Sequence, residues 1–295
     1  MDSFVSGFFS TQLRTRLIYR PVLISLFLVQ VAFTKMNGAG NDFLLIDNRE
    51  SQVSLSREQI AHLCHRQRGI GADGLIYLRI GKESADWAWE FYNADGSDAE
   101  MCGNGARCFA RFIQSTADVG REVSFETVCG VIHAVIKEEL VTVNLTDPNG
   151  LVLNETLTTS VGEKTVHSLN TGVPHAVLFV DDADKELVTG LGAEIRHHDH
   201  FSPSGTNVNF VQILEVGHIR VRTYERGVGE TLACGTGVSA SGIISARLNN
   251  WPSPVRVDVL GGDQLGVGFS QEGDVFSSVQ LTGPAEFVFT GNVEI

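Results

Sequence analysis

The chain carries one short motif twice in a single register, and that duplication narrows the fold more than any other feature. Met101-Cys102-Gly103-Asn104-Gly105-Ala106 and Ala233-Cys234-Gly235-Thr236-Gly237-Val238 lie 132 positions apart. The same shift places Gly40-Asn41-Asp42-Phe43 on Gly172-Val173-Pro174-His175, each leading into an apolar strand that ends in Asp. It also places Asn93, beyond an aromatic strand, on Glu225, beyond Arg-Val-Arg-Thr-Tyr. One register through three separated features predicts two similar halves with a boundary near Leu145–Gly150.

After residue 33 helical patterns are scarce and short β-rich runs dominate, separated by turn signals such as Asp95-Gly96, Asn149-Gly150 and Gly261-Gly262-Asp263. Ser56, with Gln59 as its capping-box partner, predicts an amphipathic helix burying Ile60, Leu63 and Cys64. The segments after the two cysteines, Gly105–Gln114 and Gly237–Leu248, read as helices with little polar surface. Such helices are surrounded by protein. The expected fold is therefore α+β, with two pseudo-symmetric domains, each a curled, mainly antiparallel sheet around a central helix.

With 295 residues and 43% hydrophobic content, two cores are within reach. Twenty-two Lys and Arg against 35 Asp and Glu give a net charge of −13, which disfavours nucleic-acid binding. The five cysteines are odd in number and lack C-x-x-C spacing, so a reducing cytoplasm is expected over a disulfide scaffold. Residues 1–32 read as an N-terminal extension. Arg14, Arg16 and Arg20 precede an apolar run from Pro21 to Phe33, yet no small-x-small cleavage site follows. The run is too short for a membrane span, and no membrane partner is expected.

Two thiols at helix N-termini suit three chemistries. The helix dipole and unpaired N–H groups favour the thiolate. Redox exchange uses such a pair, so a thiol–disulfide or peroxide-handling protein acting through Cys102 and Cys234 is the alternative reading. Covalent catalysis needs only one nucleophile. A two-base reaction uses both: one thiolate removes a proton from a stereocentre and a thiol on the opposite face returns one. Backbone N–H groups at Gly103, Asn104, Gly235 and Thr236 would then hold a carboxylate and stabilise its enolate-like form.

The segments KMNGAGNDFLLIDNR (35–49), GIGADGL (69–75), FYNADGSDAEMCGNGARCFARF (91–112), GVPHAVLFVDD (172–182), TNVNFVQ (206–212) and VRTYERGVGETLACGTG (221–237) resemble the diaminopimelate epimerase family. That resemblance implies an epimerase, independent of pyridoxal phosphate or any other cofactor and needing no metal, that interconverts L,L- and meso-diaminopimelate. It implies Cys102 and Cys234 as the catalytic base and acid, with His175 and Glu225 supporting proton transfer. Asn41, Asn93, Asn207, Glu225 and Arg226 would contact the substrate, while Gly103, Asn104, Gly235 and Thr236 would bind its α-carboxylate end. The implied domains are 33–144 plus 284–295 and 145–283, with Pro284–Ile295 crossing back to the first. The partner is a small amino acid in the cytoplasm, and a homodimer is compatible with this picture. One position departs from the family pattern: Val173 stands where an Asn usually helps bind substrate. A site lacking that donor discriminates less, so relaxed specificity towards glutamate is expected.

Other signals carry less. Gly69-Ile70-Gly71-Ala72-Asp73-Gly74 fits a dinucleotide fingerprint, but a polar run precedes it and a strand follows. His197-His198-Asp199-His200 reads as a solvated loop, and Cys108 and Cys129 as packing residues.

Overall fold

The computed structural model describes residues 30–99 and 101–295. Most of the expected extension, 1–29, lies outside the described residues. The first described strand spans Gln30–Asn37 and buries Val31 and Phe33.

In chain order the elements of the first half are β1 (Gln30–Asn37), β2 (Asp42–Asp47), α1 (Arg57–Cys64), β3 (Gly74–Ile80), β4 (Trp87–Asn93), α2 (Gly103–Ala117), β5 (Glu122–Thr127), β6 (Gly130–Lys137) and β7 (Leu140–Asn144). Then follow β8 (Asn149–Thr159), β9 (Gly162–Asn170), β10 (Pro174–Phe179), α3 (Val188–Arg196), β11 (Asn207–Glu215), β12 (His218–Glu225), β13 (Gly229–Thr231), α4 (Gly235–Asn249), β14 (Val255–Val259), β15 (Gln264–Glu272), β16 (Val275–Pro284) and β17 (Glu286–Glu294).

The strands form two runs of matching pattern. One is β17-β1-β2-β3-β4-β5-β6-β7, antiparallel except at β2–β3 and β4–β5. The other is β8-β9-β10-β11-β12-β14-β15-β16, antiparallel except at β10–β11 and β12–β14. The parallel pairs fall at the same places in both. The runs join where β7 meets β16 antiparallel, with Thr142 opposite Thr282 and their hydroxyls 2.8 Å apart.

Each run curls around one helix. α2 and α4 start and stop 132 positions apart, each after a cysteine and each ending on a left-handed residue, Asp118 or Asn250. Short polar side chains tolerate that conformation. Around α2, Phe109 packs edge-on against Phe125 with ring centroids 4.8 Å apart, beside Trp89. Burying each such ring contributes about 2 to 3 kcal/mol. Around α4 the fit is tighter: a Cβ on Gly242 would stand 3.1 Å from Val267, which explains why that helix is built of small residues.

The Ser56–Gln59 capping box forms, and α1 buries Ile60, Leu63 and Cys64. Helix α3 was not expected. Its apolar stripe of Val188, Leu191 and Ile195 is interrupted by Gly190 and Gly192, and a Cβ on Gly192 would collide with Tyr224 at 2.7 Å. Cys108 is buried, but Cys129 is exposed in a hairpin turn rather than packed. Among the described residues, no helix is long and apolar enough to cross a membrane.

Candidate active site

Cys102 and Cys234 are the N-cap residues of α2 and α4, and the two helix N-termini abut. A Cβ on Gly235 would lie 3.6 Å from the Gly103 Cα and 2.9 Å from Leu281 Cδ2. A Cβ there would push Leu281 aside, and the repeated Gly after each cysteine leaves room for both thiols at one junction.

Around Cys102 a chain of polar groups runs outward. The Gly105 N–H donates to its sulfur at 3.5 Å, and the thiol donates to Asn41 Oδ1 at 3.3 Å. Asn41 is fixed from behind, its Nδ2 donating to Asp73 Oδ2 at 2.7 Å. Asp73 is in turn paired with Arg66, which also grips Asp42. Asn104 ties the halves together: its Nδ2 donates to Asn41 Oδ1 at 3.4 Å and to the carbonyl of Ala233 at 3.3 Å. Its Oδ1 is buried without a partner.

Cys234 has different company. Its sulfur lies 3.5 Å from Thr236 Oγ1, and the Glu225 carboxylate lies against it while its charge also reaches Cys102. Glu225 is held by the Thr231 hydroxyl, which donates to Oε1 at 2.6 Å.

Burial dominates both thiols and pushes them up, Cys234 well above the ordinary thiol value. For Cys234 the Glu225 charge pushes in the same direction; for Cys102 the N–H groups of Gly105 and Asn104 pull back in part. This corrects the expectation that a helix N-terminus alone favours the thiolate. Desolvation of a buried sulfur outweighs the dipole here.

His175 is buried where α4 begins, its ring 3.3 Å from where a Cβ on Gly237 would stand. The Thr223 hydroxyl donates to Asn209 Oδ1 at 2.9 Å, so the Asn209 amide nitrogen is left to donate to the Ala176 carbonyl and to His175 Nδ1. That network puts the ring proton on Nε2, which has no partner. Burial, with the Arg226 charge, pushes His175 down to about 3, so the imidazole is neutral.

Asn207 Oδ1 accepts the Arg226 backbone N–H at 2.8 Å, fixing the chain just past Glu225. The Arg226 side chain reaches the Ser204 carbonyl. Asn93 is not drawn into the cluster: it is exposed, and its amide braces its own turn through Ser97 and Asp98. Val173 offers only its backbone, accepting from Thr171. Among the described residues no three His, Cys, Asp or Glu side chains gather to hold a metal ion.

Three residues of the cluster carried no expectation. Asp73 orients Asn41, Asn209 orients His175 and Thr231 orients Glu225. All three lie in segments that resemble the family, and Asp73 lies also in the glycine-rich stretch that fails as a nucleotide fingerprint. What marks Asp73 and Asn209 is a partner 32 and 34 positions away, and what marks Thr231 is a partner across the β12–β13 hairpin.

The diaminopimelate epimerase family profile matches residues 33–150 and 167–288. The chain is 43% identical over 274 residues to the diaminopimelate epimerase of Aquifex aeolicus (strain VF5), covering 88% of this chain and 97% of that one. It is 41% identical over 266 residues to that of Chlorobaculum tepidum, covering 88% and 100%. Among solved structures, a PhzF-family phenazine biosynthesis protein of Bacillus anthracis superposes with a TM-score of 0.67 at 14% identity, covering 91% of this chain and all of that one. A hydroxyproline epimerase from Agrobacterium vitis gives 0.66 at 16% identity, covering 90% and 93%. The latter two share the fold. By the profile and the sequence relatives, with paired thiols capping abutting helices, this chain belongs to the diaminopimelate epimerase family.

Proposed function

We propose that the protein interconverts L,L- and meso-diaminopimelate by a two-thiol, two-base reaction. The observation that carries this reading is the convergence of Cys102 and Cys234 at one helix junction with Glu225 reaching both. A thiol pushed up by burial is a strong base once its proton has gone, and Glu225 beside Cys234 is the group to take it. The Cys234 thiolate then removes the α-proton, the electron pair stays on the α-carbon and its carboxylate, and the Cys102 thiol protonates the opposite face. The roles exchange in the reverse direction. The N–H groups of Gly103, Asn104, Gly235 and Thr236 face the α-carboxylate and the charge that develops on it. The unpartnered Asn104 Oδ1 is the acceptor for the α-ammonium, while neutral His175 offers its Nε2 proton as a donor. Asn41, Asn93, Asn207 and Arg226 serve the rest of the substrate.

Val173 supports a site open to a smaller acidic amino acid such as glutamate. A reducing compartment, the cytoplasm, suits two thiols that must stay reduced; Cys64, Cys102, Cys108 and Cys234 all form no disulfide.

The test is α-proton exchange in heavy water on L,L-diaminopimelate and L-glutamate side by side. Substrate-dependent deuterium uptake is expected with the first, and slower uptake with the second. Cys102→Ala and Cys234→Ala should each cut full epimerisation by at least about 100-fold, the scale of a lost acid or base. Near-normal turnover in either variant refutes the two-base reading, and strict rejection of glutamate refutes the relaxed specificity alone.

A further inference from the structure

Arg107, in the second turn of α2, is 0% exposed. Its guanidinium makes two hydrogen bonds, both to backbone carbonyls: Nε to Pro284 at 3.2 Å and Nη1 to Gly103, the residue after Cys102, at 3.4 Å. Nη2 has no partner. On the far side β16 makes room with Gly283, where a Cβ would stand 3.1 Å from the guanidinium carbon. A buried cation without a paired anion is strongly disfavoured.

The repeat shows what that charge is not needed for. The position of Arg107 in the second half is Ser239, whose hydroxyl donates to the Gly235 carbonyl at 2.9 Å. The bond to the first helical carbonyl is therefore made by a serine in α4 and by an arginine in α2, so bracing the helix does not require a cation. The halves differ a second time at Glu225, whose counterpart is Asn93, exposed in its turn. The Glu225 charge acts most on Cys234, whereas Arg107 holds the carbonyl of the residue next to Cys102 and its charge reaches that thiol. The ionisable groups around this guanidinium are Cys102, Cys108 and Asp263, and Glu225 also faces Cys102. Cys108 is pushed up to about 12 by burial and stays neutral. Asp263, on the β14–β15 turn, is raised by burial and by Glu286.

We propose that Arg107 is a positioning residue for Cys102, its buried positive charge stabilising the Cys102 thiolate that the neighbouring peptides alone do not secure. This rests on the acid–base role of Cys102 given above. The two thiols thus have different neighbours: a proton acceptor, Glu225, for Cys234 and a fixed cation for Cys102.

The experiment is site-resolved alkylation with iodoacetamide, read by mass spectrometry on each cysteine peptide from about pH 6 to 10. The thiolate sulfur attacks the methylene carbon and iodide leaves, so the rate reports thiolate without turnover. In Arg107→Gln, Cys102 alkylation is expected to slow about tenfold or more, as for a pKa raised by one unit, with Cys234 changing less than about twofold. Arg107→Lys should keep most of the native rate. An unchanged Cys102 rate in Arg107→Gln overturns the proposal. So does faster alkylation of Cys64, Cys102 and Cys108 together, which a merely structural role would produce. Should Arg107→Gln fail to fold, Asp263→Asn removes the competing anion: Cys102 should then react faster, and an unchanged rate overturns the proposal. Absent α-proton exchange alongside the expected alkylation pattern would sink the epimerase reading and leave the electrostatic one standing.

Discussion

His175 couples the site to the acid stability of the fold. It is neutral inside the protein, with a pKa near 3, while in the unfolded chain it titrates near its ordinary 6.5. The unfolded state therefore binds the extra proton between those values. Its stabilising contribution is complete above about pH 6.5 and declines as the pH falls towards 3, by up to about 1.4 kcal/mol per pH unit. Urea unfolding midpoints between pH 7 and 5 should fall, and His175→Gln should flatten that fall. At the same scale, Thr231→Val removes the hydroxyl that fixes Glu225 and should lower kcat about tenfold with KM little changed, the worth of one hydrogen bond to a charged group. The two cysteines, Glu225 and the glycines between the helices were legible because motif and register marked them together. Asp73, Asn209 and Thr231 were not: the first two act on side chains 32 and 34 positions away, and Thr231 acts across the β12–β13 hairpin, which no spacing motif marks. Asn93 was legible as a position but not as a conformation, because its turn satisfies its amide locally.

Helices α2 and α4 were readable almost to their ends, because small and apolar residues between a Cys-Gly cap and a left-handed stop admit few alternatives. Helix α3 was hidden by its two glycines, strand β8 by its exposed alternate residues and strand β17 by its almost continuous exposure. The tightness of α4 is open to test at its first turn. A Cβ on Gly237 would stand 2.3 Å from Asn209 Oδ1, the atom that fixes which way Asn209 faces His175. Gly237→Ala should therefore cost about 1 to 3 kcal/mol of stability by overpacking, read from thermal unfolding, and should abolish epimerisation even where the protein stays folded.

Across the whole molecule, the register of 132 residues foretold two similar halves, but one aspect of their connection was beyond it. β8 follows β7 in the chain yet pairs with β9, and β17 follows β16 yet pairs with β1. Local pattern names strands, whereas pairing across 264 positions, as between Gln30 and Glu294, is decided by what the assembled sheet leaves open. A shift of 132 places β1 on β9, so the structural repeats are β1–β8 and β9–β17, and each lends its last strand to the other. In an assembly of two half-length chains the same arrangement would be a reciprocal strand exchange, with the β7–β16 seam on the axis between them. The single peptide link in the Ser160-Val161 turn is then nearly dispensable. Cleaved there at an engineered protease site, the protein should keep one mass in gel filtration and most of its activity, because neither piece can leave without surrendering a strand and taking back another.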